Sequence, residues 1–478
     1  MDVHQNYIGG RWTASSATLP VINPSDGTKM AEIARGGAAE IDAAVAAGHA
    51  AMAGAWGQTD AVSRGRLLLK LADLIRRDSE KLAKMESEDV GKPMTLARND
   101  VAVCARYFEY YGSAADKVHG DTIPFQNGFS VMTFYEPHGV TGHIVPWNYP
   151  LQMTGRSVAP SLAMGNAIVL KPAEDTSLTA LALARLAEEA GLPPGTFNVV
   201  TGLGEEAGAA LAAHPGIGHV SFTGSREVGT LVQAAASKNT IPVTLELGGK
   251  SPQVVFSDAD FNDAGATIVR GISQNAGQTC SAGSRVLIDD SIYDRFAGEL
   301  SERFRALRVG SASQDLDLGP VVNATQQARI ERYLDIARKD RLPILAEGSF
   351  GTNLPAGGFY VRPTLIGDVP PDHQLAQEEI FGPVLVAIRF HDERDAIRIA
   401  NNTPYGLAAG VWSSDLGRSM RMAHQIRSGQ VFVNNYGAGG GVELPFGGVK
   451  GSGHGREKGF EALYGFGTLK TVAIKHGP

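Results

Sequence analysis

The sequence predicts an α/β fold with two doubly wound α/β domains and, in addition, a small β element. Three observations support this prediction. The 478 residues exceed the ~250–300 at which a single hydrophobic core stops growing. Short apolar runs alternate with helix-like stretches, a pattern typical of parallel sheets that helices cover on both faces. The runs fall into two successive sets, so we expect two sheets.

A helical region comes first, from about residue 40 to residue 115, where apolar residues recur at short intervals opposite charged positions. Residues 178–191 predict a further helix, with 175–177 as candidate caps and Gly191 at its end. The strand-like runs around this helix are 139–145, 166–170, 197–200, 219–222 and 242–247.

A second alternating set occupies the C-terminal half, with a predicted helix at 323–339. Its strand-like runs are 253–256, 284–288, 343–348, 364–369, 383–390, 408–412 and 430–435. Two segments fit neither sheet. Asn127-Gly128 predicts a hairpin within 118–138, and the tail 451–478 ends in a β-prone run. Because an isolated hairpin is marginal in water, we expect both segments to pair outside the two domains, with a partner subunit as the candidate.

Composition favours a cytoplasmic protein with no nucleic-acid or membrane partner. The net charge is −7, and no long run of lysine or arginine occurs. We find no secretory signal and no run near the ~18–20 apolar residues of a membrane span. Two cysteines, Cys104 and Cys280, are too few for a disulfide framework. Cys104 lies in an apolar run and fits a buried hydrophobic residue.

Three residues are candidates for catalysis from their local sequence. Cys280 lies in a loop rich in Gly and Ser, where it is accessible, but a reactive thiolate needs a positive or dipolar environment. Glu246 ends an apolar strand, where a carboxylate is unfavourable unless it is solvated, paired or used. Asn148 lies between Pro146 and Pro150, which suits a rigid amide donor for an oxyanion and equally an ordinary turn.

Motifs of several other enzyme classes are missing from the sequence. No HExxH, CxxC or paired-histidine spacing predicts a metal site. Neither a GxSxG nucleophile motif nor a GxxxxGK[ST] phosphate loop is present, and the dinucleotide motif GxGxxG is also missing. The residues alone therefore predict an α/β enzyme with an accessible thiol.

Seven motifs, in order, resemble the aldehyde dehydrogenase superfamily along nearly the whole chain. They are PWNYP, KPAE, FTGS, LELGGKSP, GQTC, EEIFGPV and PFGGVKGSGHGREKG. The resemblance implies an NAD-binding domain at 1–117 and 139–247 and a catalytic domain at 248–450. It also implies that 118–138 and 451–478 are oligomerisation strands in a homodimer or homotetramer.

The resemblance implies that Cys280 attacks an aldehyde and gives a thiohemiacetal, whose oxyanion the Asn148 amide and the Cys280 N–H stabilise. Hydride transfer to the nicotinamide then leaves a thioester, and Glu246 activates the water that releases the carboxylic acid. Two alternatives are a CoA-acylating aldehyde dehydrogenase, which needs no hydrolytic base, and a catalytically silent structural or binding relative. Glu246 in an intact LELGGKSP motif disfavours the first alternative, and the presence of all three residues together disfavours the second.

The resemblance further implies an NAD site, with NADP as a possible substitute. Lys171 and Glu174 would contact the adenosine ribose, and Glu174 would repel a 2′-phosphate. Ser225 would open a helix whose N-terminus favours the pyrophosphate, and Glu379 would hold the nicotinamide ribose. The full predicted set is Trp147, Lys171, Glu174, Gly224, Ser225, Gly229, Glu379 and Phe381.

The implied aldehyde funnel is lined by Tyr149, Met153, Thr279, Ser281 and Tyr436. The glycine-rich run 437–441 removes side-chain bulk and predicts a mouth for a medium aliphatic or aromatic aldehyde. Arg156 and Arg285 are the arginines considered for a substrate carboxylate. The chain also departs from relatives at Ser157, where some carry a proton-relay lysine, and at Arg226, where a small polar residue is commoner.

Overall fold

The computed structural model describes residues 3–437 and 441–477. Its strands are β1 (Val3–His4), β2 (Asn6–Ile8), β3 (Arg11–Thr13), β4 (Thr18–Ile22), β5 (Lys29–Ala34), β6 (Thr122–Ile123), β7 (Phe129–Pro137), β8 (Val140–Ile144), β9 (Ala167–Lys171), β10 (Phe197–Val199), β11 (His219–Thr223), β12 (Val243–Glu246), β13 (Pro252–Val255), β14 (Arg285–Asp289), β15 (Arg308–Val309), β16 (Ile344–Glu347), β17 (Ser349–Phe350), β18 (Thr364–Ile366), β19 (Val384–Phe390), β20 (Ala408–Trp412), β21 (Gln430–Val433), β22 (Gly453–His454) and β23 (Gly467–Lys475).

The α-helices of the described residues are α1 (Ala38–Ala53), α2 (Ala61–Arg77), α3 (Ser79–Val90), α4 (Met94–Ala114), α5 (Pro150–Ala163), α6 (Leu178–Ala190), α7 (Ala209–Ala213), α8 (Arg226–Ser237), α9 (Phe261–Ser273), α10 (Tyr293–Ala306), α11 (Ala324–Lys339), α12 (Gln374–Gln377), α13 (Glu393–Asn401), α14 (Leu416–Gln425) and α15 (Glu461–Gly465). None of these helices combines the length and the apolar character needed to cross a membrane.

The first large sheet has eight strands in the order β22-β12-β11-β8-β9-β10-β2-β3. The five from β12 to β10 are parallel to one another, and β22 and β2 flank them as antiparallel strands. Every residue of β8, β9, β10 and β11 is buried, which fits the near-continuous apolar runs that predicted them. Helices α1 and α5 pack on β9. This sheet carries the ends of β8, β9 and β12 that lead into the candidate site.

The second large sheet has seven strands in the order β16-β18-β19-β14-β13-β20-β21. Its strands are parallel except β16, which is antiparallel to β18. Successive residues of one strand point to opposite faces, so Val254 and Val255 belong to two different apolar clusters. A sheet with an apolar cluster on each face is doubly wound. The predicted α/β fold with two such sheets is confirmed.

Helix α6 begins and ends where the sequence predicts, and Gly191 after it has a φ of 95°. The predicted capping side chains at 175–177 do not cap it. The Ser177 hydroxyl donates to the Ala173 carbonyl at 2.8 Å, and the Leu178 N–H donates instead to Asp89 of α3 at 3.2 Å. The cap comes from a distant helix, which local sequence could not indicate.

The third sheet contains the predicted hairpin, formed by β6 and β7. Strand β23 pairs with β7 from Gly467 to Lys475. The two segments thus pair with each other outside the two large sheets, and the further pairing with a partner subunit stays a prediction. Within the predicted tail, Gly453–His454 pair with β12 at the edge of the first sheet, and the domain boundary at residue 451 stays a prediction.

Strands β1 to β5 were not predicted. Strands β2 and β3 extend the first sheet, while β1, β5 and β4 form a separate small sheet. These strands have two to six residues each, which is too short for a recognisable alternation of apolar and polar positions.

Candidate active site

The candidate nucleophile, Cys280, lies in a loop after α9. Asn275 and Ala276 in this loop have φ values of 50° and 53°, a left-handed conformation that non-glycine residues adopt only where their surroundings enforce it. The Cys280 side chain is partly exposed, whereas Cys104 is buried in the core. Of the two cysteines, Cys280 is thus the one that a substrate can reach.

Burial raises the pKa of the Cys280 thiol to about 11. The charge of Arg156 opposes this rise, and the carboxyl groups of Glu379 and Glu246 add to it. The thiol is therefore protonated at neutral pH and must transfer its proton before it attacks. The positive environment expected from the sequence is present in Arg156, but burial outweighs it.

Asn148 lies between β8 and α5, and its side chain is buried. Its Nδ2 donates to the carbonyl of Gln278 at 2.8 Å, two residues before Cys280. The backbone carbonyl of Asn148 accepts from Asn275 Nδ2 at 2.8 Å and from Lys92 Nζ at 3.1 Å. The Asn148 amide is therefore fixed beside the cysteine loop and keeps its second N–H available.

Glu246 is the last residue of β12, beside Thr223 of β11 and Gly453 of β22. Its side chain is 2% exposed, and neither carboxylate oxygen has a hydrogen-bond partner within residues 3–437 and 441–477. Burial, and after it the negative charge of Glu457, raise the pKa of Glu246 well above its ordinary value, while Arg156 opposes the rise. The surroundings of Glu246 thus favour its neutral form over its ionised form.

The three candidates meet at the carboxyl ends of parallel strands, where α/β sheets bind their ligands. Asn148 holds Gln278 in the cysteine loop. A Cβ at Gly249 would lie only 2.7 Å from the Cys280 carbonyl oxygen, so the chain just beyond Glu246 touches the same loop. An accessible thiol, an amide donor and a buried acid therefore share one site.

A buried ion pair that the sequence did not predict lies beside this site. Arg156 Nε donates to Glu457, and Ser221 donates to the other oxygen of Glu457 at 2.8 Å. Both members of the pair are buried. They lie 301 positions apart in the chain, so only tertiary structure reveals the contact.

Neither arginine that the sequence offered for a substrate carboxylate is available for that role, because Arg156 already pairs with Glu457. Arg285 is fully buried. Its guanidinium donates to the carbonyls of Lys250, Ile399 and Ala400. The guanidinium groups at both considered positions are therefore engaged within the protein.

Ser157 and Arg226, the two departures from relatives, lie in different surroundings. The Ser157 hydroxyl is buried, 2.6 Å from His143 Nδ1 and 2.9 Å from Ser221 Oγ. Ser157 thus joins a hydrogen-bond network of the core. Arg226 is exposed at the start of α8.

The predicted adenosine-side residues lie at the end of β9. Lys171 Nζ is 2.7 Å from Glu174 Oε2, with Lys171 buried and Glu174 partly exposed. Burial opposes ionisation of Glu174, but the charge and hydrogen bond of Lys171 keep the pKa of Glu174 below its ordinary value. Glu174 is therefore an ionised acceptor facing outward.

The predicted pyrophosphate residues surround the N-terminus of α8. Ser225 is its N-cap and accepts from Val228 N at 3.3 Å. The Gly224 N–H donates to the Glu246 carbonyl at 3.0 Å. A Cβ at Gly229 would lie 2.6 Å from Leu247, so a glycine lets α8 pack close to the end of β12. The helix start thus lies next to Glu246.

The predicted nicotinamide-side residues form another group. Glu379 Oε1 accepts from the Gly249 N–H at 2.8 Å, and burial raises the pKa of Glu379 to about 7. Trp147 and Phe381, both partly exposed, contact edge to face with ring centroids 5.3 Å apart. Glu379 thus sits between the segment after Glu246 and the two rings.

The predicted funnel residues are tied to the cysteine loop. The hydroxyl of Tyr149 lies 2.7 Å from Thr279 Oγ1, and that of Tyr436 donates to the Ser281 carbonyl at 2.6 Å. Tyr149 and Met153 are buried, so Tyr149 supports the loop from behind. Of the glycine-rich run, 438–440 lie outside the described residues, and the preference for a medium-sized aldehyde stays a prediction.

The chain matches the aldehyde dehydrogenase family over residues 12–472. A hydroxyisobutyraldehyde dehydrogenase from Mycolicibacterium austroafricanum is 42% identical over 475 residues, which cover 99% of this chain and 94% of that protein. A solved protein from Burkholderia cenocepacia, provisionally assigned as an aldehyde dehydrogenase, is 58% identical with a TM-score of 0.98, covering 99% of this chain and all 100% of the other. PnpE from Pseudomonas sp. WBC-3, solved with nicotinamide adenine dinucleotide, is 40% identical with a TM-score of 0.97, covering 99% of this chain and 98% of PnpE.

The fold and the match along almost the whole chain define an enzyme of the oxidoreductase class. The chain belongs to the aldehyde dehydrogenase family. The prediction of an aldehyde dehydrogenase from its seven motifs is confirmed.

Proposed function

We propose that this chain oxidises an aldehyde to the carboxylic acid through a thiohemiacetal and then a thioester on Cys280, with NAD as the oxidant. The observation that carries the proposal is the carboxyl of Glu246, buried beside the thiol with both oxygens unpaired among the described residues. An unpaired buried polar group is destabilising, so its retention needs a use. Hydrolysis of a thioester requires a base there, whereas acyl transfer to CoA does not.

The first step uses Cys280 and Asn148. Because the thiol is protonated at rest, its proton passes to a neighbouring base as the sulfur attacks the aldehyde carbon. The carbonyl oxygen becomes an oxyanion, which accepts from the remaining Asn148 N–H and from the Cys280 backbone N–H. One such donor lowers the barrier by about 3–4 kcal/mol. When bound, NAD accepts a hydride from the former aldehyde carbon.

The second step uses Glu246. Its ionised form takes a proton from a water molecule that attacks the thioester carbon, and the C–S bond breaks to release the acid and restore the sulfur. A raised pKa suits this work, because a base is most effective when its pKa lies near the working pH.

The residues present fit NAD. Glu174 and Glu379 offer carboxylates that suit ribose hydroxyls, and the N–H groups at the start of α8 suit a diphosphate. Glu174 is ionised and partly exposed, so it would repel the extra 2′-phosphate of NADP. The NAD complex of PnpE, a relative of this chain along its length, supports the same choice.

The direct test follows NADH absorbance with a mixed set of aldehydes. We expect the wild type and Cys104→Ala to produce NADH and Cys280→Ala to produce none, because the Cys104 thiol is buried and cannot meet a substrate. Equal rates for wild type and Cys280→Ala would contradict the assignment of Cys280. Adding CoA tests the acylating alternative, and acyl-CoA as the product instead of free acid would overturn the hydrolytic role of Glu246.

We also propose that the chain forms a homodimer or homotetramer through the third sheet. Phe134 on β7 and Ile474 on β23 are about half exposed and lie on the same face of this sheet. Contiguous exposed apolar side chains on a sheet are typical of an interface. The partner that we infer is a second copy of this chain. The small molecules that the proposed reaction requires are the aldehyde, NAD and water.

A further inference from the structure

A buried lysine contacts the backbone of Asn148, the residue whose side-chain amide is the proposed oxyanion donor. Lys92 lies between α3 and α4, and its side chain is fully buried. Its Nζ donates to the Asn148 carbonyl at 3.1 Å and lies 4.3 Å from the centroid of the Tyr149 ring. The cation therefore touches two consecutive residues of the segment that carries the proposed amide donor.

Two buried carboxylates hold this lysine in place. Asp100 Oδ2 of α4 lies 2.5 Å from Lys92 Nζ, and Glu86 Oε1 of α3 lies 3.2 Å away. All three side chains are at most 3% exposed. A buried ammonium with several hydrogen-bond partners is directionally restrained, so Lys92 is a rigid support.

Glu86 also reaches the helix that follows Asn148. Its second oxygen, Oε2, accepts from the Leu151 N–H at 3.3 Å in the first turn of α5. The Glu86 carboxylate thus contacts both Lys92 and α5. The turn at 148–151 is therefore held at the backbone carbonyl of Asn148 and at the start of α5. The orientation of the Asn148 side chain toward the cysteine loop therefore depends on how rigidly this turn is held.

We propose that Lys92 is a positioning residue that fixes the Asn148 amide where the oxyanion forms. This inference rests on the proposed function, because it needs Asn148 to act as an oxyanion donor. The charges of Asp100 and Glu86 outweigh burial and raise the pKa of Lys92, so the ammonium keeps all its donors over the range in which the enzyme works.

The test compares two reactions of the same thiol. Aldehyde oxidation forms an oxyanion, whereas alkylation of Cys280 by iodoacetamide is a displacement at saturated carbon and forms none. Removing one oxyanion donor lowers kcat by ~10²–10³-fold, so we expect Asn148→Ala to show that loss and Lys92→Met to lose about tenfold or more. Both variants should be alkylated at the wild-type rate.

A double-mutant cycle separates positioning from general damage. Lys92→Met combined with Asn148→Ala should be no slower in aldehyde oxidation than Asn148→Ala alone, because the lysine acts through the amide. Additive losses, a wild-type kcat in Lys92→Met, or an equal fall in the alkylation rate would each overturn the proposal.

The matched control is Asp89→Asn. Asp89 is buried on the same helix as Glu86 but caps α6. Asp89→Asn should therefore oxidise aldehydes at the wild-type rate. A loss equal to that of Lys92→Met would overturn the proposal. If Lys92→Met does not fold, Lys92→Arg replaces it in the same cycle, with the same criterion. An Asn148→Ala variant with wild-type activity would instead refute the oxyanion role in the proposed function.

Discussion

The guanidinium of Arg156 lies 3.5 Å from the hydroxyl of Thr223. Thr223 is the β11 partner of Glu246 in the first sheet, so a buried positive charge is held one strand away from the proposed base. That charge lowers the pKa of Cys280 and of Glu246 against the larger effect of burial. Glu457, the ion-pair partner of Arg156, acts on Glu246 in the opposite direction.

Replacing Arg156 by Met should make Cys280 harder to ionise. The pH profile of iodoacetamide alkylation should move to higher pH, because the charge that opposes burial is lost. Removing one partner of a buried ion pair should also lower the free energy of unfolding by ~3–5 kcal/mol, measurable by urea denaturation. Arg35→Met, which breaks an exposed pair with Glu206, is the matched control, and an unshifted profile in Arg156→Met would refute the electrostatic role.

Activity should rise with pH through neutrality. Cys280 and Glu246 both act in their deprotonated forms, and burial raises both pKa values, so each unit of pH below the controlling pKa lowers the reactive fraction about tenfold. Glu457→Gln removes a negative charge near Glu246, so the acid limb of kcat should move to lower pH. Saturating kcat measured against pH tests this, and a limb that moves to higher pH would contradict the sign.

The contrast between Glu246 and Glu457 explains what sequence could predict. Glu246 ends a recognisable apolar strand and lies inside an ordered motif, so local pattern and resemblance pointed to it together. Glu457 also lies in a motif, but its importance depends on meeting Arg156 from a segment 301 positions away. Local patterns report burial and turns; they do not report which distant charges share a cavity.

The same limit applies to the fold. Strands such as β9 and β19 were predicted because nearly all their positions are buried and apolar, Lys171 and Arg389 being the exceptions. The pairing of β23 with β7, and of β22 with β12, depends on non-local contacts. The tail was therefore recognised as β-prone, but its local sequence could not indicate either of these pairings.

His143 should make the protein more sensitive to acid. Burial lowers its pKa to about 3, whereas the unfolded chain binds the proton near 6.5. Stability from the neutral ring is therefore complete above pH 6.5 and falls as pH drops below it, by up to ~1.4 kcal/mol per unit. Buried acids such as Asp89, whose pKa is raised, act in the opposite direction, so the quantity to compare is a difference between variants.

The measurement for His143 is the free energy of unfolding in urea, taken on both sides of pH 6.5. His143→Gln should lose less stability on acidification than the wild type, although it is less stable at every pH because the Ser157 and Thr141 contacts change. His424→Gln, at an exposed position, should keep the wild-type dependence. Identical slopes for wild type and His143→Gln would refute the prediction.

Glu174→Gln should relax the choice of cofactor. The substitution removes the ionised carboxylate and leaves the Lys171 ammonium, 2.7 Å from that carboxylate in the wild type, without its charged partner. A 2′-phosphate would then meet attraction in place of repulsion, and we expect the ratio of kcat/KM for NADP to that for NAD to rise about tenfold or more, which corresponds to ~1.4 kcal/mol. An unchanged ratio would show that Glu174 does not face the ribose.

The outer face of the third sheet should carry the subunit interface. Pairing of Met132 with Val472 and of Phe134 with Lys470, with the period of two along a strand, places Phe134, Met132, Val472 and Ile474 on one face. Thr133 and Val131 on the opposite face are buried against the same chain. The apolar side chains of this face, which also carries the Lys470–Glu136 ion pair, need a cover, and a second copy would present the same face.

Introducing a charge on this face should therefore dissociate the oligomer. Ile474→Lys should reduce the mass seen by sedimentation velocity from that of a dimer or tetramer towards that of one chain, because an unpaired ammonium would be buried at the interface. Leu416→Lys places the same charge at an exposed apolar residue of α14 and should leave the mass unchanged. The proposed active-site residues all come from one chain, so dissociated Ile474→Lys should still be alkylated at Cys280. A wild-type protein that sediments as a single chain would contradict the proposed interface, because the apolar side chains of this face would then have no cover.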